Sequence, residues 1–289
     1  MGVVYALLAY VTWGVLPVYW KALAQVPADE IIAWRLVGTV AFTWGLLAGL
    51  GRLAELRAIG SRRRERVLLA AGGVLITSNW LVFIWAVNHD QLLEASFGYY
   101  LNPIFNVFLG RVFLGERLSP GQAAAVAIAA AGVGVLGWQF GGLPWVSLSL
   151  ATSFGLYGLV HKLCKARPVP ALGFETAVVG PLAALYLGLG VEPIGGGTLL
   201  LLDGTERWLL LAAGPATALP LLWFSSAARR MPLSVLGLFQ YLSPSLSFLL
   251  ALFVYDEPWT PTHALAFALI WSALILFTTD GWRRRSPST

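Results

Sequence analysis

One sequence pattern occurs twice in this chain, and the two copies lie 141 residues apart. Each copy consists of a Tyr-Leu-x-Pro motif, a glutamate and a second proline: Pro103, Glu116 and Pro120 in the first, Pro244, Glu257 and Pro261 in the second. The same distance separates Gly73 from Gly214 and Phe83 from Phe224. A repeat of this length in an apolar chain predicts two fused copies of one membrane-spanning unit. We therefore predict two domains, residues 1–140 and 141–289.

The composition excludes an ordinary soluble domain. Of the 289 residues, 58% are hydrophobic and only 11% are charged, whereas soluble domains are about a quarter charged. The 13 Trp residues are typical of aromatic rings at the two lipid–water boundaries. Cys164 is the single cysteine, so an internal disulfide is excluded, and we interpret it as an inert core residue.

Apolar runs of about 20 residues, the length that crosses a bilayer, follow one another along the chain. The predicted fold is an all-α integral membrane protein with ten transmembrane helices. The predicted spans are residues 2–20, 30–51, 67–88, 91–114, 120–138, 143–164, 170–190, 206–227, 233–255 and 259–279.

The basic residues predict the orientation. If ten helices alternate in direction, fifteen of the 19 Lys and Arg residues fall on one side, and positive charge is retained in the cytoplasm. Both termini are then cytoplasmic, in a bacterial inner membrane. These residues are Arg52, Arg57, Arg62, Arg63, Arg64, Arg66, Arg117, Lys162, Lys165, Arg167, Arg229, Arg230, Arg283, Arg284 and Arg285. We interpret them as topology determinants beside anionic lipid rather than as a nucleic-acid site.

Five helices per repeat is an odd number, so the second repeat enters the membrane from the opposite side. Two inverted five-helix repeats are a recurring plan of transporters, with the substrate bound near the midplane.

Charged side chains inside the spans are candidate site residues, because each costs about 2.5–3.5 kcal/mol at the bilayer centre. Arg35 and Glu94 lie at similar depth, which allows a contact between them; snorkelling to the outer interface is the alternative that stays open. Glu175 lies on the other side of the midplane, about 15–20 Å from Arg35 along the membrane normal at 1.5 Å per residue, so we exclude that pair. Glu175 is a candidate proton or cation site, unless a hydroxyl or backbone group satisfies it.

Amides and aromatic rings near the midplane are the remaining candidates for substrate binding. Pro103 and Pro244 each release a backbone carbonyl one turn earlier, and matched interruptions in two repeats favour a binding site. A purely structural role of the prolines is the alternative. The candidates of this kind are Asn79, Trp80, Tyr99, Asn102, Tyr157, Gln240 and Tyr241.

No metal site or cofactor site is predicted. His89 and His161 fall at interfaces and His263 within the last span, and no two share a metal-ligand spacing. Motifs for phosphate loops and nucleophilic serines are also absent from the sequence, and we predict no enzymatic activity.

The chain resembles the RarD family of EamA-type transporters, in the drug/metabolite transporter superfamily. The stretches that carry this resemblance are residues 30–35, 78–80, 85–88, 94–103, 114–118, 154–159, 175–176 and 240–244. The resemblance implies ten helices in two inverted repeats and a bacterial inner-membrane permease that exports metabolites or drugs.

The leading functional hypothesis is a secondary transporter that moves a small, partly aromatic solute by alternating access. The partners are then a small-molecule substrate and the lipid bilayer, and a homodimer is left open. Two alternatives stay open: a non-transporting assembly partner, and an intramembrane lipid-modifying enzyme. The sequence leaves the substrate, the direction of transport and proton coupling undetermined.

Overall fold

A computed structural model describes residues 1–23, 25–88, 92–139, 145–189, 204–254 and 261–283. Within these ranges some side chains, including that of Glu94, are not described. All regular secondary structure in the described ranges is helical. The predicted all-α class is therefore confirmed.

Twelve helices are described. Their bounds are α1 Gly2–Lys21, α2 Ala28–Gly49, α3 Ala54–Ser61, α4 Arg63–Asn88, α5 Leu92–Leu114, α6 Pro120–Gln139, α7 Trp145–Leu163, α8 Pro168–Leu189, α9 Gly204–Ala228, α10 Leu233–Phe239, α11 Leu242–Val254 and α12 Pro261–Arg283.

Five of the described helices contain a segment long and apolar enough to cross a membrane. These segments are Gly2–Lys21, Asp29–Gly49, Arg63–Phe83, Pro168–Leu189 and Gly204–Ala228. A helix satisfies its backbone hydrogen bonds internally, which a chain surrounded by lipid requires. The protein is therefore a multi-pass membrane protein.

The short helix α3 was not predicted. It lies in the arginine-rich segment after α2 and buries Ile59 against Leu69 and Cys164. Its eight residues are too few to cross a bilayer, so the length of apolar runs does not indicate this helix.

The two motif prolines have different effects on their helices. α5 continues through Pro103, whereas the helix containing Pro244 is divided after Phe239 into α10 and α11. The Gln240 carbonyl accepts a hydrogen bond from the Ser243 backbone N–H at 3.2 Å, which satisfies the acceptor that Pro244 leaves free. The predicted interruption therefore divides the helix in the second half of the chain only.

The helices pack as a bundle with one principal aromatic core. α2 packs on α8 and α9, α4 on α7 and α8, α1 on α9 and α11, α5 on α7 and α10, and α6 on α12. At the centre, Tyr157 stacks on Phe224 with ring centroids 5.9 Å apart. Trp13 contacts both Phe224 and Phe154. The core therefore joins α1, α7 and α9.

Two glycines allow α2 and α9 to approach closely. A Cβ atom on Gly38 would lie 2.9 Å from the Gly214 Cα atom, and a Cβ atom on Gly214 would overlap the Gly38 backbone. The Thr39 hydroxyl donates to the Gly214 carbonyl at 3.2 Å. Small residues take this role in membrane helix pairs because they let backbones touch.

Two glutamates join loops at the end of the bundle that carries most of the basic residues. Glu65 accepts hydrogen bonds from the backbone N–H groups of Lys165 and Ala166 and from the Cys164 thiol. Glu116 accepts from the Leu233 N–H at 2.7 Å and from the Ser234 hydroxyl at 2.6 Å. Glu116 therefore holds the start of α10.

We expect Gly214→Ala to lower the thermal unfolding midpoint in detergent, because the added methyl group forces α2 and α9 apart. Overpacking of this kind costs about 1–3 kcal/mol. The matched control is Gly45→Ala on α2, where a Cβ atom would meet nothing within 4 Å. Equal effects of the two substitutions would contradict the assigned contact.

We expect Cys164 in the folded protein to resist alkylation at pH 7 to 8. Burial and the hydrogen bond to Glu65 raise the pKa of the Cys164 thiol to about 12, so the thiol stays protonated until the pH approaches that value, and only the thiolate reacts. Glu65→Gln lowers this pKa and accelerates labelling by a small maleimide. The unfolded chain, which labels rapidly, is the control for an available thiol.

Candidate functional site

Arg35 lies on α2 between two tryptophan rings. Its guanidinium carbon is 4.8 Å from the centroid of Trp20 and 4.5 Å from that of Trp80. Its Nε atom donates a hydrogen bond to the Thr217 hydroxyl at 3.0 Å. We call these four residues the arginine box. It brings together α1, α2, α4 and α9.

The arginine box compensates part of the cost of a cation within the bundle. A guanidinium over a tryptophan face gains about 0.5–2 kcal/mol, depending on desolvation, and two faces are available here. Among the described side chains, no carboxylate lies within 4 Å of Arg35. The box therefore stabilises a positive charge within the bundle.

Two tyrosines border the arginine box. Tyr19 and Tyr99 are close enough to Arg35 to interact with its charge, and the Tyr99 ring packs on Phe83 at 5.8 Å. Tyr99 and Trp80, both predicted from the sequence, therefore lie beside Arg35. The candidate Arg35–Glu94 contact falls outside the described side chains, because the side chain of Glu94 is not described. Trp20 was not singled out from the sequence, because a tryptophan near a span end is typical of an interfacial belt. Nor was Thr217, which comes from another helix.

Asn79 faces away from this group, toward α7. Its amide Nδ2 donates to the Leu150 carbonyl at 3.0 Å and to the Ser153 hydroxyl at 2.9 Å. Asn79 is buried, and its donors are satisfied by α7. In this structure its amide joins two helices.

A second polar group lies where α7, α8 and α9 meet. The Glu175 Oε1 atom is 3.1 Å from the His161 Nε2 atom, and both side chains are 0% exposed. Tyr157 donates to Glu175 Oε2 at 3.3 Å, and the Ser225 hydroxyl is 2.8 Å from His161 Nδ1. We call these residues the His–Glu cluster.

The position of His161 differs from the prediction. The sequence places it at an interface, near the end of its span, whereas the structure buries it completely against Glu175. The spacing of Tyr157 and His161, one helical turn apart, was the signal that could have placed both on one face of α7. Glu175 comes from another helix, so their meeting depends on tertiary packing.

Glycines on α4 form one wall of the His–Glu cluster. A Cβ atom on Gly72 would lie 2.7 Å from Glu175 Oε1, and one on Gly73 would overlap the Glu175 backbone. Any larger side chain at these positions would displace the carboxylate. The two glycines therefore let α4 approach the segment of α8 that carries Glu175.

A third polar group lies along the α5–α10 contact. The Asn106 amide donates to Gln240 Oε1, and the Tyr100 and Tyr241 rings lie 6.4 Å apart. Asn102 is also buried here, and its Oδ1 atom has no hydrogen-bond partner among the described residues. Asn106 was not singled out from the sequence, because it lies one helical turn after Asn102 and outside the Tyr-Leu-x-Pro motif.

The predicted site residues are thus divided among separate places. Trp80 of the arginine box and Tyr157 of the His–Glu cluster belong to one apolar core. Tyr241 belongs to a second core, shared with α6 and α12. Within the described ranges, no three His, Cys, Asp or Glu side chains are grouped as metal ligands would be.

Comparison with known proteins shows what this fold is related to. The EamA-like transporter family matches residues 1–138. A solved crystal structure that is 21% identical superposes with a TM-score of 0.75 and covers 96% of this chain and 98% of its own. The likeness to that structure concerns the fold alone.

Sequence relatives extend the likeness to nearly the whole chain. An uncharacterized transporter of Pseudomonas aeruginosa is 43% identical over 99% of this chain and 96% of its own length. The protein RarD of Escherichia coli is 42% identical over 96% of this chain and 94% of its own length. The recognition made from the sequence is therefore confirmed, and this chain belongs to the RarD group of the EamA-like transporter family.

Proposed function

We propose that this protein is a secondary transporter that moves small metabolites or drug-like solutes across a bacterial inner membrane by alternating access. The observation that carries this proposal is the arginine box. It holds a cation between two aromatic faces, within a bundle of apolar helices and beside Tyr99. A soluble ligand needs such a polar group to bind at membrane depth.

The helix contacts support two repeats, residues 1–140 and 141–289. A shift of 141 residues relates α1 to α7, α2 to α8, α4 to α9, α5 to α10 and α11, and α6 to α12. The α1–α9 contact then corresponds to α7–α4, and α2–α9 corresponds to α8–α4; all four pairs are in contact. An odd number of spans in each repeat inverts one relative to the other, as rocking transporters require.

The proposed orientation places the basic end of the bundle in the cytoplasm. At this end the start of α1 meets the end of α9, where the Arg230 guanidinium lies 5.1 Å from the Tyr5 ring. The Lys162 ammonium group donates to the Met231 carbonyl at 2.7 Å. Positive charge is retained on the cytoplasmic side, so both termini are cytoplasmic in this proposal.

The arginine box favours a solute that carries both an anionic group and an aromatic or apolar body. The guanidinium fork matches a carboxylate in two parallel hydrogen bonds, while Trp20, Trp80 and Tyr99 supply flat surfaces for stacking. Arg35, Trp80 and Tyr99 are therefore the proposed substrate contacts. The other polar candidates lie at contacts between helices, and these contacts would change when the two repeats move relative to each other. They are Asn79, Asn102, Gln240 and Tyr241.

We expect Arg35→Gln to reduce counterflow of an anionic substrate in proteoliposomes by about tenfold or more, the effect of losing one charge-assisted contact. The assay uses pairs of aromatic carboxylic acids and their neutral amides, so that loss of discrimination between acid and amide reports on Arg35 itself. Trp80→Ala should weaken flux of both members of a pair.

The matched control is Arg111→Gln, which removes the same charge from an exposed position on α5. It should transport normally. Wild-type flux and unchanged acid–amide discrimination in Arg35→Gln would exclude the arginine box as a substrate site.

The His–Glu cluster is the proposed coupling site for protons. A buried carboxyl and imidazole 3.1 Å apart can share or release one proton, and intramembrane ionisable pairs commonly mark proton pathways. The charged and titratable groups that face Glu175 are Tyr157, His161 and, from the segment after α9, Arg229. These groups lie on α7, on α8 and directly after α9, so a change in protonation can influence how the three helices pack.

We expect Glu175→Gln to abolish the dependence of flux on an imposed pH gradient while counterflow without a gradient continues. The glutamine keeps the size and most hydrogen bonds of the carboxyl group but cannot carry the proton. The measurement compares uptake at equal and unequal pH on the two sides of the membrane. A mutant whose flux follows the gradient as the wild type does would exclude Glu175 as the coupling residue.

A further inference from the structure

A cavity of about 550 Å³ opens at the basic end of the bundle, between the start of α8 and the end of α9. Four arginines line it together with apolar and neutral side chains, and no carboxylate is among the lining residues. The arginines are Arg52, Arg167, Arg229 and Arg230. We call this space the arginine cavity.

The positive charge of the arginine cavity is only partly balanced. Arg52 pairs with Glu55 at 2.5 Å, and Arg167 lies 3.7 Å from the same carboxylate. One acid therefore serves two guanidinium groups. Arg230 donates to the Ser226 carbonyl at 2.8 Å, which satisfies a donor without neutralising the charge.

Arg229 is the group that most needs an acceptor. Its Nε and one Nη atom are buried and have no hydrogen-bond partner among the described residues. Burial lowers the pKa of the Arg229 guanidinium below its ordinary value, which means that the surroundings disfavour the cation. A buried donor without a partner is unfavourable, and more so when it is charged. Arg229 also lines the cavity, so the negative charge of an anion bound there would offset part of the cost of its buried cation, as Glu175 and Glu65 also do.

We propose that the arginine cavity binds a phosphate group. Several guanidinium groups around one space match the three-dimensional arrangement of phosphate oxygens, and arginine is the preferred residue for bidentate contacts with them. Leu222 and Trp223 form an apolar part of the wall, which accommodates the carbon skeleton next to the phosphate. The phosphate belongs either to a phospholipid headgroup or to a free solute.

The arginine cavity is separate from the arginine box. The two share no residue, although both use α9: Thr217 contributes to the box and Trp223 to the cavity. Phosphate binding therefore does not rest on the proposed transport function. Occupancy would hold the ends of α8 and α9 together, so its first consequence is on stability.

The test measures the thermal unfolding midpoint of the whole purified protein in a neutral detergent. One series adds inorganic phosphate and is compared with potassium chloride at the same ionic strength. The other adds phosphatidylglycerol and is compared with phosphatidylcholine. In at least one series the midpoint of the wild-type protein should rise by more than it does with the control salt or the control lipid. Stabilisation by phosphatidylglycerol alone identifies a headgroup; stabilisation by inorganic phosphate as well identifies a free phosphate.

Arg229→Gln should raise the concentration needed for half of this stabilisation at least about tenfold, which corresponds to the loss of one charge-assisted contact. The control variant is Arg57→Gln, an exposed arginine of α3 that does not line the cavity and should behave as wild type. If Arg229→Gln does not fold, Arg230→Gln takes its place. Two results would overturn the proposal: phosphate and phosphatidylglycerol stabilise no more than potassium chloride and phosphatidylcholine do, or the cavity variant and Arg57→Gln respond equally.

Discussion

The cost of a charged or polar group among apolar helices determines how this bundle is arranged. Three such groups have specific neighbours: Arg35 lies between two tryptophans, Glu175 meets His161 and Tyr157, and Glu65 accepts backbone N–H groups. In each case the neighbours come from another helix or from the loop between two other helices. The polar groups therefore specify which helices pack together, while the lipid-facing residues do not.

The three polar regions make different demands on the bundle. The arginine box holds a cation between two aromatic faces, and we propose it as the substrate site. The His–Glu cluster is enclosed within the protein and holds a carboxyl and an imidazole 3.1 Å apart, and we propose it as the proton site. The arginine cavity lies at one end of the bundle and opens outward. Because α9 contributes to all three through Thr217, Ser225 and Trp223, a movement of this helix would affect them together.

Much of the helical architecture was predictable because it depends on local properties. The predicted bounds of the first, fifth and eighth spans differ from α1, α6 and α9 by only one or two residues. Element types follow from apolar run length, since a backbone in lipid must be helical. The site was less predictable. Arg35, Trp80 and Tyr99 were each singled out from the sequence and are neighbours in the structure, but Trp20 and Thr217 were not connected with Arg35, nor His161 with Glu175.

The amino-acid sequence by itself determined that this chain is an all-helical membrane protein of the RarD group, and which residues carry charge within its helices. Only the tertiary structure decided the partners of those charges. The physical reason is that depth and helical face can be counted along a sequence, whereas contact between helices depends on rotation and close approach. Gly38 and Gly214 illustrate this: their absent side chains bring α2 against α9, and the same packing brings Thr217 to Arg35.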